Sequence, residues 1–255
     1  MEFEEYRIMR EAEDVHWWYR GLRGVMFALL RLDNAARRGR GRRMLDAGCG
    51  TGGNMAALER AGFTQVLGFD YSSHGIYFCR QRGLDNLCQS SLMSIPFRDN
   101  SLEVIISCDV INDEGLPDEM QALRELYRVL APGGRLFLNL PAYDFLRGEH
   151  DKATSVARRY TTGSISKKLR AVGFKIERAT YWNMFLFPVV LAVRLLSRVR
   201  KGHEREQVRS DIKVPSAPVN AVLAGLLRVE QALLRRVRLP FGSSVAVVAV
   251  KPRRR

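Results

Sequence analysis

The chain has 255 residues, 46% hydrophobic and 27% charged, with 41 Lys and Arg against 27 Asp and Glu and a net charge of +14. That length fits one α/β domain with additions or two small domains, and the composition excludes a disordered or fibrous chain. The charge is divided: residues 1–45 carry +3, residues 46–145 carry −6 and residues 146–255 carry +17, which argues against a uniformly basic coat for nucleic acid.

In chain order, residues 6–32 read as one or two helices with Trp17, Trp18, Tyr19, Leu22 and Met26 among their apolar anchors, and the Arg/Gly-rich residues 35–43 read as a linker. Strands are predicted at 44–46, 65–70, 87–89, 104–109, 135–140 and 175–181, and helices at 54–61, 74–82, 118–130 and 162–172. Strands that alternate with helices of this length predict a parallel sheet covered on both faces, with ligands at the carboxyl ends of its strands. About sixty basic and apolar residues separate the strand at 175–181 from a last β run at 244–251. Within them, Val222, Leu223, Leu226, Leu227, Leu233, Leu234 and Val237 are expected on one helical stripe. The longest uncharged apolar run, residues 181–193, falls short of the ~20 residues of a spanning helix. The N-terminus, Met1-Glu2-Phe3-Glu4-Glu5, has no apolar signal core. Cys49, Cys79, Cys88 and Cys108 form no CxxC pair, which predicts free thiols and no metal site.

The sharpest local signal is Asp46-Ala47-Gly48-Cys49-Gly50-Thr51-Gly52-Gly53. Glycines there let the chain turn tightly out of a strand and bring backbone N–H groups close to a ligand. Gly48, Gly50 and Gly53 satisfy GxGxxG, and Asp70 closes the next strand, which also suits NAD. However, the acid at Asp46, with Gly48, Gly50 and Gly52, resembles motif I of the class I S-adenosylmethionine (SAM) methyltransferases. Ile95-Pro96-Phe97-Arg98-Asp99-Asn100-Ser101-Leu102-Glu103-Val104 and Leu123-Arg124-Glu125-Leu126-Tyr127-Arg128-Val129-Leu130-Ala131-Pro132-Gly133-Gly134 resemble two further segments of that family, in the same order. Glu103, Ser91 and Ile111-Asn112-Asp113 depart from its usual residues.

The resemblance implies an α/β, Rossmann-like, doubly wound seven-stranded sheet with an antiparallel last strand. It divides the chain into an N-terminal helical cap (1–41), a SAM-binding core (42–181), a basic amphipathic helical insertion (182–243) and a final strand with a basic tail (244–255). It implies SAM as cofactor, with Asp46, Gly48, Gly50 and Gly52 at its methionine end, Asp70 on the ribose hydroxyls and Tyr71, Ser91 and Leu92 beside the adenine. Asp109 would stand beside the reacting methyl. On the acceptor side, the stretch around residues 141–174 and the His16-Trp17-Trp18-Tyr19-Arg20 patch resemble a bacterial subgroup found among surface-polysaccharide and secondary-metabolite enzymes. His150 with Asp151 is the expected base for a hydroxyl, and Arg158, Arg159 and Tyr160 the expected clamp for an anionic or sugar acceptor. Trp18 and Tyr19 are expected to line the acceptor side or a lid. The expected acceptor is a hydroxyl, less so a nitrogen, of a small molecule, sugar or lipid-linked intermediate. The insertion suggests three uses: packing on the core, a homodimer contact, or an anionic membrane surface that would place the chain in the cytoplasm at the inner face of the membrane. A non-catalytic SAM-fold binding module and an NAD enzyme are the competing readings.

Overall fold

The computed structural model describes residues 2–32, 41–148, 151, 155–200 and 214–253, with the backbone alone for 195–200. Seven strands, β1 (Arg43–Ala47), β2 (Gln65–Asp70), β3 (Leu87–Gln89), β4 (Leu102–Cys108), β5 (Leu130–Pro141), β6 (Lys175–Trp182) and β7 (Ser244–Val250), form one sheet in the order β3-β2-β1-β4-β5-β7-β6. β7 pairs antiparallel with β5 and β6, and the other pairs are parallel. Eight α-helices are described: α1 (Phe3–Ala12), α2 (Trp17–Leu30), α3 (Gly53–Arg60), α4 (Ser73–Gln81), α5 (Glu119–Val129), α6 (Thr162–Val172), α7 (Phe187–Arg200) and α8 (Ala217–Leu234).

Alternation along the strands feeds two cores. Leu45, Ile105, Leu136, Leu138 and Val247 face a cluster shared with Leu123 and Leu126 of α5 and Ile165 and Leu169 of α6. Met44, Val104, Ile106, Phe137 and Val248 face the other cluster, with α2, Met55 and Leu58 of α3, Cys79 of α4 and Leu227 of α8. Strands buried on both sides read as continuous apolar runs, as here. β5 starts at Leu130 rather than at residue 135. The Pro-Gly-Gly segment is zipped to the end of β7, Gly133 N donating to the Lys251 carbonyl at 2.7 Å and Lys251 N to the Gly134 carbonyl at 3.1 Å.

The helix at 217–234 corrects the expected single stripe. Leu227 and Leu234 are buried, whereas Val222, Leu226, Leu233 and Val237 face outward. α8 packs directly on α2 because Gly21 and Gly24 leave room: a Cβ at either would collide with Leu227 or Gln231. Asn220 ties the helix starts together, accepting from Trp17 N and donating to the Val15 carbonyl, both at 2.8 Å. α8 is also long and apolar enough, by length and composition, to cross a membrane, which the 181–193 run is not.

Candidate cofactor and acceptor site

The glycine loop lies between β1 and α3. Gly48, Gly50 and Gly52 all have positive φ, at 80°, 55° and 82°, so a side chain at any of them would strain the turn. Gly48 has no room for a Cβ beside Val110. Asp70, at the end of β2, holds the loop from the side: its carboxylate accepts from Gly50 N at 2.8 Å and Ser72 N at 2.9 Å. Gly75 of α4 is also required, because a Cβ there would stand 2.8 Å from the Gly50 carbonyl oxygen and 3.2 Å from the Asp70 carboxyl.

Asp46 is completely buried, and neither of its carboxylate oxygens makes a well-formed hydrogen bond to a protein group, the Asn54 amide standing near enough only to favour its ionised form weakly. Burial raises its pKa well above the ordinary carboxylate range, and Glu13 and Asp70 add to the rise. An uncompensated buried carboxyl is costly. It suits a ligand with positive charge or donors, and a SAM sulfonium and ammonium supply both. The residues present therefore fit SAM. Asp46 and the glycine-loop backbone would take its methionine end and Asp70 its ribose hydroxyls. Tyr71 is exposed at the end of β2, and the Gln89 side chain donates to its carbonyl at 3.0 Å, so the 70–71 and 89–92 segments meet. Leu92 is buried in the core, and the Ser91 hydroxyl accepts from Met93 N at 3.1 Å.

α1, within the expected N-terminal cap, stands over this loop. The Tyr6 hydroxyl reaches Asp70 Oδ1 at 3.5 Å. Just past α1, the Glu13 carboxylate is buried, bonded to the Thr51 hydroxyl and, at 2.8 Å, to Arg82. Arg82 also donates to the Thr51 carbonyl at 2.7 Å and pairs with Asp14 at 2.7 Å, and its side chain is only 4% exposed. Removing one partner of such a pair leaves a buried charge. Arg82→Leu is therefore expected to lower stability by about 3–5 kcal/mol. Even with Arg82 present, burial raises the Glu13 pKa; without it, folding requires the carboxyl to take up a proton that the unfolded chain releases above its ordinary pKa. The loss should thus be larger at pH 8 than at pH 5 in thermal melts. An equal loss at both would refute the buried-charge explanation.

Backbone strain collects along the carboxyl edge: Asp109 after β4 (φ 57°), Tyr143 after β5 (φ 51°) and Asn183 after β6 (φ 59°). Positive φ at non-glycine residues has an energetic cost and gathers at functional sites. Pairing of Cys108 with Asn139 sets two side chains together, Asn139 Nδ2 donating to Asp109 Oδ2 at 2.8 Å. The Trp182 indole N–H donates to Asn139 Oδ1 at 2.7 Å. An indole only donates, so this bond fixes which end of the amide faces Asp109. Burial lifts the Asp109 pKa to about 7, with the Asn139 donor and Arg159 working against the rise. Asp109 nevertheless keeps some accessible surface, as do Cys108, Val110, Trp18 and Tyr19. Trp18 stands 5.7 Å from Trp182, ring to ring. Burial, with Glu13 and Asp109, pushes the Tyr19 hydroxyl pKa up.

The expected clamp is fastened inward instead. Arg158 donates to the carbonyls of Asp113 (3.1 Å) and Leu116 (2.9 Å), Arg159 to the Ala142 carbonyl (2.6 Å) and to Asp151 (2.6 Å), and the Tyr160 hydroxyl to Glu119 (2.7 Å). Asp151 is buried, and its second oxygen accepts from Gly148 N at 2.6 Å. These groups hold the segment after β5 against the sheet. His150 lies outside the described residues. The sequence missed an aromatic cluster at the same edge: Tyr143 stacks on Phe145 at 4.9 Å and Tyr181 at 5.0 Å, and Phe187 of α7 packs on Phe241 at 5.5 Å and Tyr143 at 6.0 Å. Phe145 and Phe241 remain exposed.

The methyltransferase domain family matches residues 45–138. The methyltransferase GfsG of Streptomyces halstedii is 33% identical over 150 residues, which is 56% of this chain and 51% of that protein. A fatty-acid O-methyltransferase of Mycolicibacterium smegmatis is 30% identical over 154 residues, 56% of this chain and 52% of that protein. The chain thus spans about half the length of these relatives. Among solved structures, a putative methyltransferase in complex with the Haloferax volcanii Trm112 activator has the same fold, with a TM-score of 0.63 at 17% identity over 99% of this chain and 95% of that one. The strand order, the glycine loop and the family match over residues 45–138 agree in making this chain similar to SAM-dependent methyltransferases.

Proposed function

We propose that the chain transfers a methyl group from SAM to a hydroxyl of an apolar acceptor, a small molecule or a lipid-linked intermediate. The observation that carries this reading is the buried Asp46 at the glycine loop with the partly accessible Asp109 just past β4, both close enough to act on the Cys108 thiol. The exposed aromatic cluster around Tyr143, Phe145 and Phe187 supports an apolar acceptor over a free sugar. The name of the fatty-acid O-methyltransferase supports a lipophilic oxygen acceptor. We place the chain in the cytoplasm, at the inner face of the membrane.

SAM supplies an already activated methyl electrophile, so the protein's work is alignment, exclusion of water and removal of one proton. Tyr19, close enough to Asp109 to feel its charge, and α1, whose Tyr6 reaches Asp70, would shield the reacting groups from water. Asn139, oriented by Trp182, holds one Asp109 oxygen and leaves the other free to take the hydroxyl proton as the O–CH3 bond forms and the S–CH3 bond breaks. A carboxyl with a pKa of about 7 is matched to that task at neutral pH.

We assign the proton to Asp109 rather than to the His150–Asp151 pair because both Asp151 oxygens are already engaged. His150→Ala is accordingly expected to stay within a few-fold of wild type in turnover. A loss above about a hundredfold, the range of a lost general base, would return the role to His150. The reading as a whole is tested by mass spectrometry of hydroxylated apolar acceptors incubated with SAM. Methylated product with S-adenosylhomocysteine is expected; SAM binding without turnover of any acceptor would favour the non-catalytic module.

A further inference from the structure

Sixteen large apolar side chains stand exposed among the described residues, and eleven of them lie between Phe185 and Phe241. They form two helical stripes. On α7, Val189 and Val193 stand four residues apart with Phe185 in the turn before the helix, and Val219, Val222, Leu226, Val229 and Leu233 recur every three or four along α8. Val222 is 64% exposed. A patch this long on a monomer's surface marks an interaction site.

The chemistry around the stripes selects the partner. The one acid on α8, Glu230, is fully buried, its carboxylate taking the backbone N–H groups of Asn183, Met184 (2.9 Å) and Phe185 (3.4 Å). That contact fixes the entry into α7 against α8 and removes the negative charge from α8's surface. The exposed charges on and just after α8 are then Arg228, Arg235, Arg236 and Arg238. A second copy docked face to face across a two-fold axis would set arginine against arginine. Nucleic acid would leave the valines without a partner. An anionic bilayer meets both demands, acyl chains for the stripe and phosphates for the arginines.

We propose that α7 and α8 dock the protein on an anionic lipid bilayer, with α8 lying in the plane of the interface. The helix does not span. Although it is long and apolar enough to cross, its other flank is locked to α2 through Leu227 and Gln231, and it carries the buried Glu230 carboxylate. Phe187 at the start of α7 packs on Tyr143 just past β5, so the docked face adjoins the carboxyl edge of the sheet, where the reaction proposed above would take place. The docking itself does not depend on the reaction proposed above.

The test is co-sedimentation of the full chain with vesicles of phosphatidylcholine alone or with about 30 mol% phosphatidylglycerol. Binding at least roughly tenfold tighter to the anionic vesicles, weakened by salt, is expected. The double variant V222D/V229D should lose roughly tenfold or more of that binding while its melting temperature and SAM affinity stay at wild-type values. Three results would overturn the proposal: no binding of the folded wild type to anionic vesicles, unchanged binding by the double variant, or a stable dimer by light scattering that the double variant dissociates, which would make a second copy the occupant.

Discussion

Asp109→Asn is expected to lower kcat by about 10²–10⁴ while SAM affinity changes only a few-fold. The amide is nearly isosteric and keeps the contact with Asn139, but it cannot accept a proton into an ionised oxygen. The pH profile separates this from a structural effect. A carboxyl whose pKa is about 7 is protonated below that value and ionised above it. Wild-type kcat should therefore rise with pH through about 7 and then level off, and the variant's residual rate should be flat across the same range. A rising limb that survives in Asp109→Asn would show that another group titrates. Trp182→Phe, which removes the donor that orients Asn139, should shift the limb without abolishing it.

Gly75→Ala is the second large effect. On helix propensity alone, alanine inside a helix gains up to about 1 kcal/mol over glycine. Here the new Cβ would stand 2.8 Å from the Gly50 carbonyl, a backbone atom of the loop that receives the cofactor. Either α4 or the loop must move, and Asp70 moves with them. SAM affinity should fall at least roughly tenfold, consistent with the sub-ångström tolerance of a preorganised site. Gly225→Ala is the matched control. It lies inside α8 with nothing within 4 Å of its would-be Cβ, so propensity acts alone and the melting temperature should rise slightly with SAM affinity unchanged. Calorimetric titration of both variants decides it; wild-type affinity in Gly75→Ala would refute the packing argument.

How far the sequence could be read depended on whether its signals were local. Positive φ at Gly48, Gly50 and Gly52 is a local demand of the turn, so the loop was visible in the glycine spacing. The strands and helices between 43 and 182 follow from apolar runs and capping residues such as Asp118, whose side chain accepts from Met120 N and Gln121 N at the start of α5. The Asp109–Asn139–Trp182 chain needs the β4–β5 register and a contact across 43 residues, which periodicity does not encode. The adjacent Arg158 and Arg159 looked like a clamp because charge was visible in the sequence while their pairing was not: backbone carbonyls as far as 42 residues away and the burial of Asp151, eight residues away. α8 was read as one stripe because valine and leucine look alike in a pattern whether they face α2 or solvent. The two glycines of α2 that admit Leu227 and Gln231 decide which face is buried. The closure of α1 on the loop likewise rests on Glu13 meeting Thr51 and Arg82 from distant segments.

The most direct test of the central claim is calorimetric titration of the full chain with SAM, with NAD and with SAM against Asp46→Asn. The account predicts saturable SAM binding, no binding of NAD, and a loss of at least roughly tenfold in Asp46→Asn, because the buried carboxylate then no longer offers its charge to the cofactor. Binding of NAD in preference to SAM, or SAM affinity indifferent to Asp46→Asn, would contradict it.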